Sequence, residues 1–225
     1  MYRGLSYLGL AFLSLVPKIT SLFVIFKFLG PSQVFLAIGL GSLLVGSFGG
    51  LNQSEIRTLF SFSSLGHFGL IFILVSIGHN CYSLSLFYLI LYCLTTSSLL
   101  FILSILNKKN IIELGGFVSY STALGPIIGV LFLSLLGFPP LSGFICKLVV
   151  IASSVSQSTD ILVLISVVLT LVISAFYYLR AFNIFSNNTE SFYQGYSSVS
   201  EKVQTTSFCY PFLIVLPVFI TISLF

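Results

Sequence analysis

The sequence predicts an all-α fold, a polytopic membrane helix bundle of about seven transmembrane helices. Hydrophobic residues make up 57% of the chain and charged residues only 6%, whereas about a quarter of the residues in a soluble domain are charged. Apolar runs of ~18 residues or more, long enough to cross a bilayer, recur along the whole length. Barrel strands would be ~10 residues long with alternating polarity, so the length of these runs favours helices.

The predicted spans leave no room for a soluble domain, so we treat residues 1–225 as a single membrane domain. A polar connection over residues 187–205 precedes the last span. In chain order, the spans cover residues 4–29, 32–49, 55–77, 82–106, 122–156, 161–185 and 207–225.

The fifth stretch, residues 122–156, is predicted to be a broken helix. Its length of roughly 35 residues is too great for one straight span of a ~30 Å hydrocarbon core. Pro139-Pro140 lies in its middle, and proline removes a backbone donor and interrupts a helix. Lys147 follows the break. A buried charge is costly unless it faces water, a partner or the protein interior, so this combination predicts an ion or proton path.

The basic residues are distributed unevenly over the predicted connections. If the spans alternate in direction, one face of the membrane has only Lys27. The positive-inside rule then places the N-terminus in the cytoplasm or matrix. The basic residues of that richer face are Arg3, Arg57, Lys108, Lys109, Arg180 and Lys202.

The two remaining basic residues, Lys18 and Lys147, lie within spans, and all five acidic residues fall in connections or at span ends. Two buried ammonium groups without a carboxylate would be costly if both were charged. Either a lysine gives up its proton, as a proton relay needs, or another chain supplies the acid. The alternative is snorkelling, in which a lysine lifts its ammonium to the interface, as we expect for Lys27.

Other polar residues of the third and fourth spans each allow two interpretations. His67 lies ~15 Å beyond Arg57 along a helix, near mid-membrane, and either relays protons or is a hydrogen-bonded structural residue. Asn52 and Glu55 predict a capping box opening the third helix, after a helix end at Gly49-Gly50. The hydroxyl residues either hold waters between the lysines or, as we expect for most, bond backbone carbonyls. They are Ser61, Ser63, Ser64, Thr95, Thr96 and Ser97.

Three segments carry a family resemblance. Residues 49–57 read GGLNQSEIR and residues 63–67 read SSLGH, while residues 137–147 read GFPPLSGFICK. In this order they resemble segments of the NADH dehydrogenase subunit 2 family of respiratory complex I. Lys18 falls at the distance before Gly49-Gly50 where that family has a lysine. The resemblance covers nearly the whole chain.

The resemblance implies an antiporter-like fold of two inverted five-helix repeats, each with a broken helix and a buried lysine. Residues 1–29 would then be the last helix of a first repeat, residues 30–186 the second repeat with its break near residues 137–147, and residues 206–225 an added terminal helix. The implied orientation agrees with the one that the charges predict. The family's buried glutamate and lysine in earlier helices have no counterpart here, so the chain resembles an N-terminally short form.

The resemblance also implies site residues. Lys18 resembles the central lysine of the first half-path and Lys147 the terminal lysine of the second, so with His67 they are our candidates for proton transfer. The break at Pro139 and Pro140 would free backbone carbonyls for water, which would hydrate Lys147. We expect Lys147→Met to lower proton translocation with little loss of assembly.

The implied function is that of a proton-translocating membrane subunit of NADH:ubiquinone oxidoreductase in the mitochondrial inner membrane, with the N-terminus on the matrix side. The implied partners are the lipid bilayer, the other membrane-arm subunits and a possible separately encoded N-terminal half, with no nucleic acid. A bacterial plasma membrane stays open as an alternative location. Two functional alternatives also stay open: a structural subunit that lost pumping with its first repeat, and an independent cation/proton antiporter.

We expect the chain to bind no cofactor. Its four cysteines, Cys81, Cys93, Cys146 and Cys209, show no C-x-x-C spacing that would predict a metal site or an iron–sulfur cluster. A glycine-rich phosphate loop is also missing from the sequence. NADH, FMN, iron–sulfur clusters and ubiquinone would therefore be bound by partner subunits.

Overall fold

The computed structural model describes residues 6–28, 30–106, 108–115, 124–139, 141–156 and 161–186, and its long elements are all helices. This confirms the predicted all-α fold. Short 3-10 turns lie at His79–Cys81 and Ile112–Leu114. The helices in order are α1 (Tyr7–Phe28), α2 (Gln33–Leu51), α3 (Ile56–Ile77), α4 (Tyr82–Leu106), α5 (Leu124–Leu136), α6 (Ser142–Ser156) and α7 (Ile161–Ser186).

Five of these helices, α1 to α4 and α7, are long and apolar enough to cross a membrane. The shorter apolar helices α5 and α6 are the two halves of the predicted broken helix. Observed and predicted boundaries differ by only a few residues, because the length of each apolar run is set by bilayer thickness. The predicted connection at 187–205 and span at 207–225 lie outside the described residues.

Helices α3 and α4 form the centre of the bundle. Helix α3 contacts α1, α2, α4 and α6, and α4 contacts α1, α3, α5 and α6, while α7 packs against α2 and α5. Apolar side chains on the outer helices remain exposed, among them Phe12 on α1, Phe48 on α2 and Leu162 on α7. These outer surfaces suit contact with lipid chains, and the polar side chains described below lie inside.

Helices α2 and α3 approach closely because glycines line their contact. A Cβ atom added at Gly46 would lie 2.6 Å from the backbone nitrogen of Gly66 and 2.9 Å from the carbonyl oxygen of Phe62. Small residues are typical of such close helix contacts in membranes. Helix α2 ends at Leu51, next to the predicted end at Gly49-Gly50. A Cβ added at Gly50 would lie 2.8 Å from the ring of Tyr177.

The start of α3 differs from the predicted capping box. Glu55 is the N-cap residue and makes no side-chain capping hydrogen bond, while Asn52 follows the end of α2. The backbone is instead paired with the connection after α4. The Ile56 N–H donates to the Lys109 carbonyl (3.1 Å), and the Ile111 N–H donates to the Ser54 carbonyl (3.0 Å). The connection after α4 therefore provides backbone hydrogen bonds at the start of α3, where we predicted side-chain capping.

Basic residues gather at one end of the bundle, as the alternation of spans predicted. The Arg57 guanidinium lies over the Tyr7 ring, 4.7 Å from its centroid, and Arg180 donates to the Leu51 carbonyl (3.3 Å). The pairing just described brings Lys108 and Lys109 to the same end, whereas Lys27 closes α1 at the other. Arg3 and Lys202 lie outside the described residues.

Candidate functional site

Lys147 binds the end of the other half of the broken helix. It lies in the second turn of α6, is 8% exposed, and donates to the carbonyls of Leu135 (3.2 Å) and Leu136 at the end of α5. A helix C-terminus carries partial negative charge, which favours a nearby cation. The helix end therefore provides an electrostatic partner for the ammonium without a carboxylate.

Gly137 ends α5 ahead of the prolines. Its φ of 87° is the left-handed conformation that favours glycine. Its N–H donates to the Ser134 carbonyl and the Phe138 N–H donates to the Leu133 carbonyl, each at 3.0 Å, which is a Schellman motif. With the two bonds from Lys147, the last four carbonyls of α5 all accept hydrogen bonds from protein donors.

The predicted break is therefore present, with a different chemistry from the one we expected. Pro139 follows the helix end in an exposed turn, and Pro140 lies outside the described residues. We expected prolines to free carbonyls that water would occupy. The carbonyls are instead bonded by the loop backbone and by Lys147 itself.

Lys18 points from α1 into the bundle. Its ammonium donates to the Ser64 carbonyl on α3 (2.9 Å) and to the Tyr92 hydroxyl on α4 (3.4 Å). It also lies 4.8 Å from the centroid of the Tyr92 ring, within range of a cation–π interaction. Lys18 does not adopt the snorkelling geometry, because its charged end contacts interior groups.

His67 on α3 lies between Lys18 on α1 and Lys147 on α6 along a line of contacts. It is 8% exposed. Its Nδ1 atom is 2.8 Å from the Tyr88 hydroxyl and its Nε2 atom 3.4 Å from the Tyr178 hydroxyl. Its ring also lies 4.8 Å from the ring of Tyr92, which contacts Lys18. Side chains from α1, α3 and α4 thus connect Lys18 to His67.

A small cavity joins His67 to Lys147. The space open to the centre of a water-sized sphere is about 20 Å³, and both residues border it with Ser63, Thr170 and Tyr177. A volume of ~10–15 Å³ by this measure is enough for one water when polar partners surround it. A second cavity of about 10 Å³ lies against the helix break, bordered by His67, Tyr88, Ser134 and Ser142.

Acidic residues in the described part of the chain do not accompany the lysines. Glu55 precedes α3, and Glu113 lies in the connection after α4, where it accepts from the Asn110 side chain (2.7 Å) and the Lys109 N–H (3.1 Å). Both are at the basic end of the bundle. Lys18 and Lys147 rely on carbonyl dipoles and aromatic rings instead.

The hydroxyl groups near this line mostly bond their own helix, as predicted. Each of these hydroxyls donates to a backbone carbonyl three or four residues earlier in its own helix. These residues are Ser61, Ser63, Ser64, Thr95, Thr96 and Ser97.

Three tyrosines of the site, Tyr88, Tyr92 and Tyr178, escaped the sequence analysis. Tyr88 and Tyr92 are four residues apart and so share a face of α4. Thr95 and Thr96 continue the same face, giving a polar stripe in an apolar helix. That spacing is a signal that could have identified the first two. Tyr178 comes from α7, and its position depends on how that helix packs.

Comparison with known proteins agrees with this arrangement. Residues 1–174 match the family described as NADH:quinone oxidoreductase/Mrp antiporter, TM. NADH-ubiquinone oxidoreductase chain 2 of Polypterus ornatipinnis is 36% identical over 148 residues, covering 66% of this chain and 42% of the relative. NADH-quinone oxidoreductase subunit N of Salinibacter ruber is 32% identical over 157 residues, covering 66% of this chain and 31% of the relative.

The fold also matches a solved structure. A chain of respiratory complex I from Thermus thermophilus with bound aureothin superposes with a TM-score of 0.74 and 23% identity, over 96% of this chain and 50% of that one. This chain therefore spans half or less of the length of these relatives. The family match extends over most of the chain and includes Lys18, His67 and Lys147. The chain belongs to the NADH:quinone oxidoreductase/Mrp antiporter transmembrane family and is a homologue of NADH-ubiquinone oxidoreductase chain 2.

Proposed function

We propose that this chain is a membrane subunit of an NADH:quinone oxidoreductase and that Lys18, His67 and Lys147 pass protons through it. The observation that carries the proposal is the polar line from α1 to α6 inside an apolar bundle. Lys18 contacts Tyr92, the Tyr92 ring packs on His67, and His67 shares a cavity with Lys147. Buried ionisable groups aligned in this way are typical of proton relays in membranes.

Each end of the line can hold a proton in a different way. The Lys147 ammonium is stabilised by the C-terminal carbonyls of α5, and the Lys18 ammonium by the Ser64 carbonyl and the Tyr92 ring. The cavity beside His67 has room for about one water, which would bridge the imidazole and Lys147. A proton leaving one lysine would move one positive charge towards the other.

We propose that the redox steps take place in other chains. Among the described residues, no group of three or more His, Cys, Asp or Glu side chains could hold a metal ion. We propose that partner subunits bind NADH, FMN, iron–sulfur clusters and ubiquinone, and that other membrane-arm subunits flank the bundle. Energy released by their redox steps would change the proton affinities of Lys18 and Lys147.

The proposal includes a location and an orientation. The mitochondrial inner membrane fits the relatives named as NADH-ubiquinone oxidoreductase chain 2, and the bacterial relative keeps a bacterial membrane as the alternative. The basic end of the bundle, at Arg57 and Arg180, would face the matrix. We also propose that residues 30–186 form one five-helix repeat, with α5 and α6 as its broken helix.

Two substitutions of Lys147 separate proton transfer from helix capping. Arginine keeps a cation and donors for the Leu135 and Leu136 carbonyls but does not release its proton in proteins. Lys147→Arg should therefore assemble normally and lower NADH-driven proton translocation by roughly tenfold or more, the range of a lost proton-transfer group. Lys147→Met removes both roles. Contrary to our expectation from the sequence, it should also lower the amount of protein in the membrane, because the Leu135 and Leu136 carbonyls lose their donor. Translocation is measured in sealed membrane vesicles with a pH-sensitive dye.

Lys27→Met is the matched control, because Lys27 lies at the end of α1 away from the polar line. It should leave both the amount of protein and translocation unchanged. Normal translocation in Lys147→Arg would show that Lys147 only caps α5. Lys147 would then have a structural role and no role in proton transfer.

A further inference from the structure

His67 is held at both ring nitrogens by hydroxyls from different helices. Tyr88 on α4 faces Nδ1 at 2.8 Å, and Tyr178 on α7 faces Nε2 at 3.4 Å. Both tyrosines are almost fully buried, each with 1% of its surface exposed. A neutral imidazole has one N–H donor and one acceptor nitrogen, while a hydroxyl can serve as either. The geometry therefore supplies a partner for each nitrogen in either tautomer.

His67 is also the residue that borders both of the small cavities described above. Tyr88 borders the cavity at the helix break, together with Ser134 and Ser142. On the other side, Tyr178 packs on Tyr177, which borders the cavity of Lys147, with the two ring centroids 4.6 Å apart. The three side chains Tyr88, His67 and Tyr178 therefore form a hydrogen-bonded line in which Tyr88 borders the first cavity and His67 borders both.

We propose that Tyr88 and Tyr178 hold His67 as a two-ended relay between these cavities and carry the proton to and from its ring. The proposal rests on the proton-transfer function proposed above and adds two residues and a direction of transfer to it. Without Tyr88, Nδ1 loses its partner, and without Tyr178, Nε2 loses its partner. The imidazole can then neither receive a proton on one side nor pass one on at the other.

The transfer conserves protons and charge. A proton arriving at the Tyr88 oxygen from the first cavity displaces the hydroxyl proton onto Nδ1. The Nε2 proton moves to the Tyr178 oxygen, whose own hydroxyl proton passes towards the second cavity. One proton has entered and one has left, and the imidazole is in its other tautomer. The ring must return to the first tautomer before the next proton crosses.

A double-mutant cycle with His67 tests the proposal. Tyr88→Phe and Tyr178→Phe remove one oxygen atom each and keep the packed ring. Each should lower NADH-driven proton translocation by roughly fivefold or more, with an unchanged amount of protein in the membrane. In a His67→Gln background the same tyrosine substitutions should have no further effect, because they act through the imidazole. If the tyrosine substitutions instead caused independent packing defects, their losses of translocation would add to the loss caused by His67→Gln.

Tyr82→Phe is the control, since Tyr82 stacks on Phe26 at the start of α4, away from His67. It should leave translocation unchanged. If His67→Gln lowers translocation but Tyr88→Phe and Tyr178→Phe do not, the role of the two tyrosines is excluded while the proposed function stands. Additive losses in the His67→Gln background would overturn that role in the same way. If His67→Gln itself has no effect, the relay through this residue fails, whatever the tyrosines do.

Discussion

A lysine completes the C-terminus of a helix in the middle of this bundle. The last four carbonyls of α5 would lack partners in lipid, where each unsatisfied group costs several kcal/mol. The Schellman bonds of Gly137 and Phe138 satisfy two of them, and the Lys147 ammonium satisfies Leu135 and Leu136. One side chain thus stabilises the break and is also our candidate proton carrier. Its two roles can be separated only by substitutions that keep the donors.

Gly137→Ala should disturb this site without replacing a titratable residue. The positive φ disfavours a side chain by ~1–2 kcal/mol, and an added Cβ would lie 2.8 Å from Cδ and 3.1 Å from Nζ of Lys147. We expect a lower unfolding temperature in detergent and slower proton translocation. Gly41→Ala on α2 is the control, because no atom lies within 4 Å of its added Cβ. Equal unfolding temperatures for the two variants would contradict this account of Gly137.

At the scale of helices, α2 and α3 form a closely packed pair, and the site depends on it. Gly46 contacts the backbone of α3 at Phe62 and Gly66, beside His67. At the basic end, the start of α3 is held to the connection after α4 by backbone bonds between Ile56 and Lys109 and between Ser54 and Ile111. Because α3 provides both His67 and the carbonyl that binds Lys18, a shift of α3 would change both contacts.

Gly46→Ala should separate these helices, whereas Gly66→Ala should not. The Cβ added at Gly46 meets backbone atoms that cannot rotate away, and overpacking of this kind costs ~1–3 kcal/mol. An added Cβ at Gly66 has no atom within 4 Å. The amount of each variant in the membrane and its unfolding temperature in detergent measure the difference. A stable Gly46→Ala variant would mean that α2 is free to move outward.

For the whole molecule, the distribution of charge sets an orientation. The pairing between the start of α3 and the connection after α4 brings Arg57, Lys108 and Lys109 together, and Arg180 joins them from α7. In the described residues the opposite end has Lys27. By the positive-inside rule, the orientation that we propose has the richer end in the matrix or cytoplasm.

Cysteine labelling can test this orientation. Asn52 and Asn80 are exposed and lie at opposite ends of α3. In sealed vesicles with the matrix face inside, Asn80→Cys should react with a membrane-impermeant maleimide, and Asn52→Cys should react only after the vesicles are opened. The chain without an introduced cysteine gives the background from its native thiols. The reverse pattern would invert the proposed topology.

The sequence predicted the helices well and the site in part. Apolar runs match the bilayer thickness, so the helix boundaries follow from local sequence alone. Lys18 and Lys147 stood out because they are charged residues inside such runs. Tyr88 and Tyr178 did not, because tyrosine is common in apolar helices and its partner His67 lies on another helix. The predicted capping box at Asn52 was wrong for a related reason. The Ile56 N–H at the start of α3 donates to the carbonyl of Lys109, which is distant in the sequence.

The size of the two cavities beside His67 has a consequence for ion selectivity. At about 10 and 20 Å³, each has room for roughly one water. Sodium and potassium ions need several oxygen ligands at once, whereas a proton moves between neighbouring oxygen and nitrogen atoms without a shell of its own. If the line carries protons as proposed, cavities of this size would exclude hydrated metal cations by their volume alone. The proposed relay would then need no separate gate to keep such ions from crossing and lowering the membrane voltage.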